Sequence, residues 1–273
     1  MKLGVIIGPE EQEFAKVAKL GIPSIQLHLH CRPDYLTPER LENIKAYQEK
    51  YNIEISATWL RWPGNVVWNM YEGQLTLGLV PIGTRSERIQ ALKMGADFSK
   101  KLGVTDVVTH AGFIPENPMT TEYLSFITDM RDLANHIKNN GQYFLFETGQ
   151  ETPVTLVRTI EDIGTGNLGV NLDPANIFVY GKGNPVDGLD LFGKYVRGVH
   201  VKDGRLPTNG RDLGEQCPLG QGKVDFPKLF DRLKNEFGYD GVLTLEREIS
   251  DQEQQVKDLH AAVSFVTDLW NSL

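Results

Sequence analysis

VHVKD, residues 199–203, ends a short apolar run, and three acidic residues stand in the same place at the ends of three other runs: Glu147 in FLFETG, Asp173 in GVNLDPAN and Glu246 in VLTLEREI. Turn or helix signals follow each at once, so His200 and the three carboxylates all belong at the C-terminal ends of buried strands. A (β/α)8 barrel keeps its chemistry at that end.

Outward from these four, further strand-like runs fall at 3–8, 23–29, 53–58 and 104–109, beside 142–147, 168–173, 196–202 and 242–246 for the runs already quoted. Amphipathic segments lie between them, near 9–20, 37–51, 84–102, 120–140, 152–163, 185–195, 226–237 and 251–272. Phe226, Leu229, Phe230, Leu233 and Phe237 recur three or four residues apart, the period that buries one face of a helix. Thr84 with Glu87 forms a capping-box pattern, Thr37 precedes Pro38 at a first helical position, and Gly103 and Gly141 mark helix stops. Strict alternation of strand and helix predicts a parallel sheet. Eight repeats predict its closure into a (β/α)8 TIM barrel, with residues 1–273 as a single domain.

Strand parity divides inside from outside. Ile25, Leu27 and Leu29 alternate with Gln26, His28 and His30, so the polar set should face the barrel axis. The same parity turns Val108 with His110, Leu145 with Glu147, Asn171 with Asp173, His200 with Lys202, and Thr244 with Glu246 inward. Two long connections, 61–83 and 203–225, are expected to roof the cavity. The first carries Trp62, Trp68 and Tyr71, rings able to cover the apolar face of a sugar or to plug the loop hydrophobically.

The formal charge of −8 over 273 residues argues against a nucleic-acid partner, which needs a basic surface. Cys31 and Cys217 stand alone with no CxxC spacing, so neither a disulfide framework nor a thiolate zinc site is expected. MKLGVIIG at the N-terminus reads as a first core strand rather than a leader, and no apolar run approaches membrane-spanning length, so a cytoplasmic protein is expected.

Three carboxylates and an imidazole facing one point repel one another unless a counter-charge is present, and together they suit a single divalent cation. An oxygen-rich set with one imidazole favours Mn2+, Mg2+ or Co2+, and admits Zn2+. Lys202 either polarises a substrate oxygen or balances the carboxylates. His110, at the end of the fourth run, either meets substrate or a second metal, or is satisfied by its neighbours. His30 is a further candidate contact, and Asn176 sits just past a ligand.

The chain resembles the xylose-isomerase-like superfamily of TIM barrels, the sugar phosphate isomerase/epimerase group. The motifs that carry the resemblance are FETG at 146–149, NLDPAN at 171–176, HVKD at 200–203 and LGQGKVDFPKLFDRLKNEFGYDGVLTLERE at 219–248. It implies that Glu147, Asp173, His200 and Glu246 bind one metal ion and that Glu147 and Glu246 move the substrate proton as an acid/base pair. Epimerisation and isomerisation of a sugar or keto-polyol follow from one enediolate site, and an inosose-type dehydration is the alternative. Ketose 3-epimerases usually carry a His where Asn176 stands and an Arg after the seventh-strand His, a place that Arg205 fills only out of step. The DNA-repair endonuclease branch needs additional His and Asp ligands that are missing here. A non-catalytic carbohydrate binder would not need the glutamate pair. The partner implied is a small sugar, with no membrane or nucleic acid, and barrels of this superfamily often form homodimers.

Overall fold

The computed structural model describes residues Met1–Leu273. Its strands are β1 (Lys2–Ile7), β2 (Ser24–His30), β3 (Glu54–Arg61), β4 (Asp106–Thr109), β5 (Tyr143–Glu147), β6 (Leu168–Leu172), β7 (Val196–Val201), β8 (Asp203–Arg205), β9 (Glu215–Cys217) and β10 (Val242–Leu245). Eight of them close in the order β1-β10-β7-β6-β5-β4-β3-β2, all pairs parallel, while β8 and β9 form a separate antiparallel hairpin. Closure is sealed at β1, where Val5 is level with Leu245 on one side and Ile25 on the other.

The ring of helices is α1 (Glu11–Lys19), α2 (Pro38–Tyr51), α3 (Gly73–Thr76), α4 (Ile82–Lys101), α5 (Thr121–Asn139), α6 (Pro153–Ile163), α7 (Pro174–Val179), α8 (Pro185–Phe192), α9 (Phe226–Asp231) and α10 (Gln252–Ser272). Ile25, Leu27 and Leu29 are fully buried in the core between barrel and helices, as their parity requires. A small second cluster of Ala57, Trp59, Trp62, Val108 and Leu145 lies apart from it. Among the polar side chains at inward positions, Asn171 lies so close to Gly198 that a Cβ there would stand 2.4 Å from its Oδ1, so β7 needs glycine at that point.

Local signals decide most helix ends. Thr37 accepts from the Arg40 amide ahead of Pro38, and Gly103 and Gly141 take left-handed φ values of 80° and 77° just past α4 and α5. The capping box expected at Thr84 and Glu87 does not form. Pro81, with φ fixed at −62°, starts α4 two residues earlier, which leaves Thr84 inside the first turn with its hydroxyl facing the Pro81 carbonyl. The expected strand 53–58 runs on to Arg61, and the segment after α9 widens into a π-helical turn over Arg232–Glu236. α7 was not foreseen. Cys31 and Cys217 are free and buried, and burial pushes the Cys31 thiol up to about 12. No helix is long and apolar enough to cross a membrane.

Both long connections sit on the ligand end. Two buried arginines one turn apart on α4 fasten the first. Arg88 donates to the carbonyls of Pro63, Asn65 and Gly78 and lies over the Trp62 ring, while Arg85 reaches Leu79, Val80, Ser125 and Asp129. Asp203 organises the second by accepting from the amides of Gly204, Gly220, Gly222 and Val224 at 2.8–3.2 Å. A Cβ on Gly222 would fall 1.9 Å from that carboxylate, so only glycine fits.

Arg88→Met leaves the buried Gly78 carbonyl and the part-buried carbonyls of Pro63 and Asn65 without their donor, and the buried one alone costs about 1–3 kcal/mol when nothing replaces it. The variant is expected to lose at least about 2 kcal/mol in denaturant unfolding and to exchange amide hydrogens faster across 62–81. Unchanged protection there would show that the arginine is not what holds the roof.

Candidate metal centre and active site

The ends of β5, β6, β7 and β10 bring Glu147, Asp173, His200 and Glu246 together, each buried, with one candidate ligand atom from each lying within 4.8 Å of the others. It is the one cluster in the chain where three or more such side chains converge. Hydrogen bonds from below and beside the quartet set its orientation. Gln26 Oε1 accepts from His200 Nε2 at 2.7 Å, which places the lone pair of Nδ1 toward the carboxylates. Gln26 is itself held by Asn171 at 3.4 Å.

Asp173 divides its carboxylate. Oδ1 accepts from the Asn176 amide at 2.9 Å as the N-cap of α7, and Oδ2 points to the centre. Thr148 Oγ1 donates to the Asp173 carbonyl and accepts its amide, both at 2.8 Å, which locks the ends of β5 and β6 together. Glu147 accepts from the Trp59 indole through Oε2, lies 3.4 Å from His110 Nε2, and sets Oε1 at 3.2 Å from His200 Nδ1.

These residues fit a cation on an observation independent of any family. Asp173 Oδ2, His200 Nδ1 and Glu246 Oε2 are buried with no hydrogen-bond partner. His200 Nδ1 and Glu246 Oε2 approach to 2.8 Å without the alignment of a hydrogen bond, so the two atoms face a common point. Three buried, unsatisfied atoms so close together are costly unless something such as a divalent ion meets them.

Lys202 supplies the permanent counter-charge. Its Nζ lies 3.1 Å from Glu246 Oε1, 3.5 Å from Asp173 Oδ2 and 2.9 Å from Glu248 Oε2. Burial works against the ammonium, but Glu246, Asp173 and Glu248 outweigh it and hold Lys202 well above its ordinary range. Burial likewise opposes ionisation of Glu147, and His110, His200 and Lys202 overcome it, leaving that carboxyl well below the usual range.

The quartet opens into a cavity of about 680 Å³ whose lining includes His28, Trp59, Arg61, Trp68, His110 and Asn176, with Lys202, Gln216 and Glu248 opposite. Of the contacts expected from sequence, His110 and Asn176 line it; Asn176 Nδ2 also reaches Glu147 Oε1 at 3.4 Å. Trp62 does not line it. That ring is buried beside Trp59 and beneath Arg88, and Trp68 lies at the mouth instead, edge-on to His110 at 5.4 Å. His30 is half-buried between His28 and Tyr35 and stays outside the lining. Arg205 is exposed on the hairpin, bound to Glu215 and the Gln221 carbonyl, and does not reach the cavity. Trp59 and Arg61 were missed because their strand was ended too early, and the alternation Ala57, Trp59, Arg61 was the signal; Glu248 lies past the end of β10, where no periodicity marks it.

A closed parallel (β/α)8 barrel with a metal-competent quartet at its C-terminal rim defines a class of protein, and comparison narrows it. The sequence matches the family profile described as "Xylose isomerase-like TIM barrel" over residues 14–266, and the chain belongs to that family. A xylose isomerase domain protein from Planctomyces limnophilus has 34% identity and a TM-score of 0.90, the match covering 98% of this chain and 96% of the other. An uncharacterised protein of Methanocaldococcus jannaschii is 26% identical over 227 residues, 78% of this chain and 70% of its own. The D-psicose 3-epimerase of Clostridium cellulolyticum H10, solved with D-tagatose, shares the fold with a TM-score of 0.73 at 16% identity, over 99% of each chain.

Two outcomes are expected. Metal-stripped protein titrated with Mn2+ should take up one ion per chain, and at about a hundredfold excess over the Kd the thermal midpoint should rise, because that level of ligand adds about 2.7 kcal/mol. Asp173→Asn should lose the effect; full uptake by that variant would remove Asp173 from the ligand set. Glu151, next along from the FETG turn, is buried with neither carboxyl oxygen partnered, and burial pushes it up to about 8. It is neutral in the folded chain where the unfolded chain is ionised, so stability should fall as pH rises from about 4.5 toward 8 and level off above. Glu151→Gln should flatten that slope in urea melts across the window, and an unaltered slope would mean another group titrates.

Proposed function

We propose that the protein is a divalent-metal-dependent isomerase or epimerase of a sugar or keto-polyol, acting through an enediolate. The observation that carries the reading is the set of buried, unpartnered ligand atoms on Asp173, His200 and Glu246, grouped with Glu147 beside a cavity that Glu147 and Glu246 line and that has room for a sugar. Glu147, Asp173, His200 and Glu246 would hold the ion, with Mn2+, Mg2+ or Co2+ suited to the oxygen-rich set and Zn2+ admitted by it. When bound, the cation supplies positive charge beside two adjacent substrate oxygens, which makes a hydrogen next to a ketone removable at neutral pH.

The chain's own groups divide the remaining work. Glu147, kept ionised by its histidine and lysine neighbours, is the base that takes the proton. Glu246, which touches Lys202, would return a proton to the enediolate after taking one from water in the cavity, and Glu147 would give up its own proton to water to reset the pair. The Lys202 ammonium stays charged, so its part is to neutralise and to polarise a substrate oxygen rather than to act as a base. Trp59 and Trp68 present rings to the cavity that can cover the apolar face of the sugar, and His110 and Asn176 offer it hydrogen bonds. The solved epimerase with D-tagatose supports the reading by fold.

Incubation with a panel of keto sugars and Mn2+ in D2O should place deuterium on a carbon beside the carbonyl, and Glu246→Gln should abolish exchange while the thermal midpoint changes by only a few degrees. An absorbing enone product would assign the site to dehydration instead. Sugar binding without exchange in any substrate would leave a carbohydrate-binding barrel.

A further inference from the structure

Arg61 is the charged residue of the cavity that the metal quartet leaves without a task. It is half-buried and lines the cavity, yet its guanidinium makes no hydrogen bond, and no carboxylate stands within 4.0 Å of it. The other cations of the same lining are all taken: Lys16 by Gln255 and Glu13, Lys202 by Glu246 and Glu248, and Arg247 by Asp258. The fully buried guanidinium of Arg88, by contrast, is engaged by three carbonyls. A half-desolvated guanidinium with empty donors is poised for an oxyanion brought from outside.

Its position along β3 says where on a ligand that oxyanion would be. Ala57, Trp59 and Arg61 share one face of the strand, and the Trp59 indole donates to Glu147. Two residues further along a strand is about 6.6 Å of backbone, so Arg61 lies nearer the C-terminal rim than Trp59, whose indole reaches Glu147, and stands on the mouth side of the quartet. His28 and His30 are level with Trp59 and Arg61 across β2, and neither offers the arginine a carboxylate.

We propose that the substrate is a keto-sugar acid whose carboxylate, at the end of the chain away from the metal quartet, pairs with Arg61. This rests on the sugar-converting reading of the site. A carboxylate suits one planar, two-pronged donor. A phosphate monoester brings nearly twice the charge and more acceptor oxygens, and the lining offers no second free cation to meet them. Glu13, Glu246 and Glu248 in the same wall also favour the smaller charge.

Calorimetric titration of the Mn2+-loaded protein with D-fructuronate, D-fructose and D-fructose 6-phosphate compares one chain ending in carboxylate, hydroxyl or phosphate. D-fructuronate should bind about tenfold or more tightly than D-fructose, the scale of one charge-assisted pair, and Arg61→Met should bring the two to within about twofold while Mn2+ uptake is retained. Arg61→Lys, which keeps the charge and loses the fork, should fall between. Equal binding of acid and alcohol, a preference for the phosphate, a preference that survives Arg61→Met, or no binding of any of the three overturns the proposal. The affinities are read whether or not the sugar is converted, so absence of deuterium exchange would count against the isomerase reading and leave the Arg61 result standing.

Discussion

Three buried carboxylates and an imidazole held together are the constraint on which the C-terminal rim of the barrel depends. Glu147, Asp173 and Glu246 would repel one another strongly enough to keep their strand ends apart if nothing stood between them. Lys202 is the fixed part of the answer, since it is covalently present whether or not an ion is bound, and it touches two of the three. The neutral scaffold does the rest: Gln26 turns His200, the Thr148 hydroxyl ties β5 to β6, and Trp59 and His110 steady Glu147 from the side. The strands converge because every ligand is also a hydrogen-bonded part of the wall.

This dual use explains why the site is specific to its backbone. Asp173 caps α7 with one oxygen and faces the centre with the other, so the helix that carries Asn176 begins where the ligand sits. Asn176 in turn reaches Glu147. A displacement at any one of these residues is felt by its neighbours through short polar contacts, and the cavity wall and the ligand set are one assembly rather than two.

Strand parity and strand-end position were enough to find the barrel and its quartet, because burial on both sides leaves a run of Val, Ile and Leu that only a ligand-bearing end interrupts. Gly103 and Gly141 were legible for the same reason, each doing a job that other residues do poorly. What sequence left hidden depended on distance in space. Nothing near Trp62 or Trp68 in the chain says that Arg88, far along on α4, lies over the first ring, which is buried outside the cavity, while the second stands at its mouth. Arg205 looked available because its partners, Glu215 and Gln221, come from the far arm of a hairpin that no local pattern announced. Pro81 outcompeted a sound capping pattern because a fixed φ nucleates a helix more firmly than a side chain can.

The seating of Asp203 among four amides has a consequence for how such a barrel can diversify. The root of the second connection is closed internally, by a carboxylate and glycines that touch no part of the ligand set, while Leu213 and Gln216 further out reach the cavity. The tip between Arg205 and Glu215 is therefore a replaceable cassette on a stable socket: its composition can drift and reshape the mouth without unsettling the floor where Glu147, Asp173, His200 and Glu246 meet.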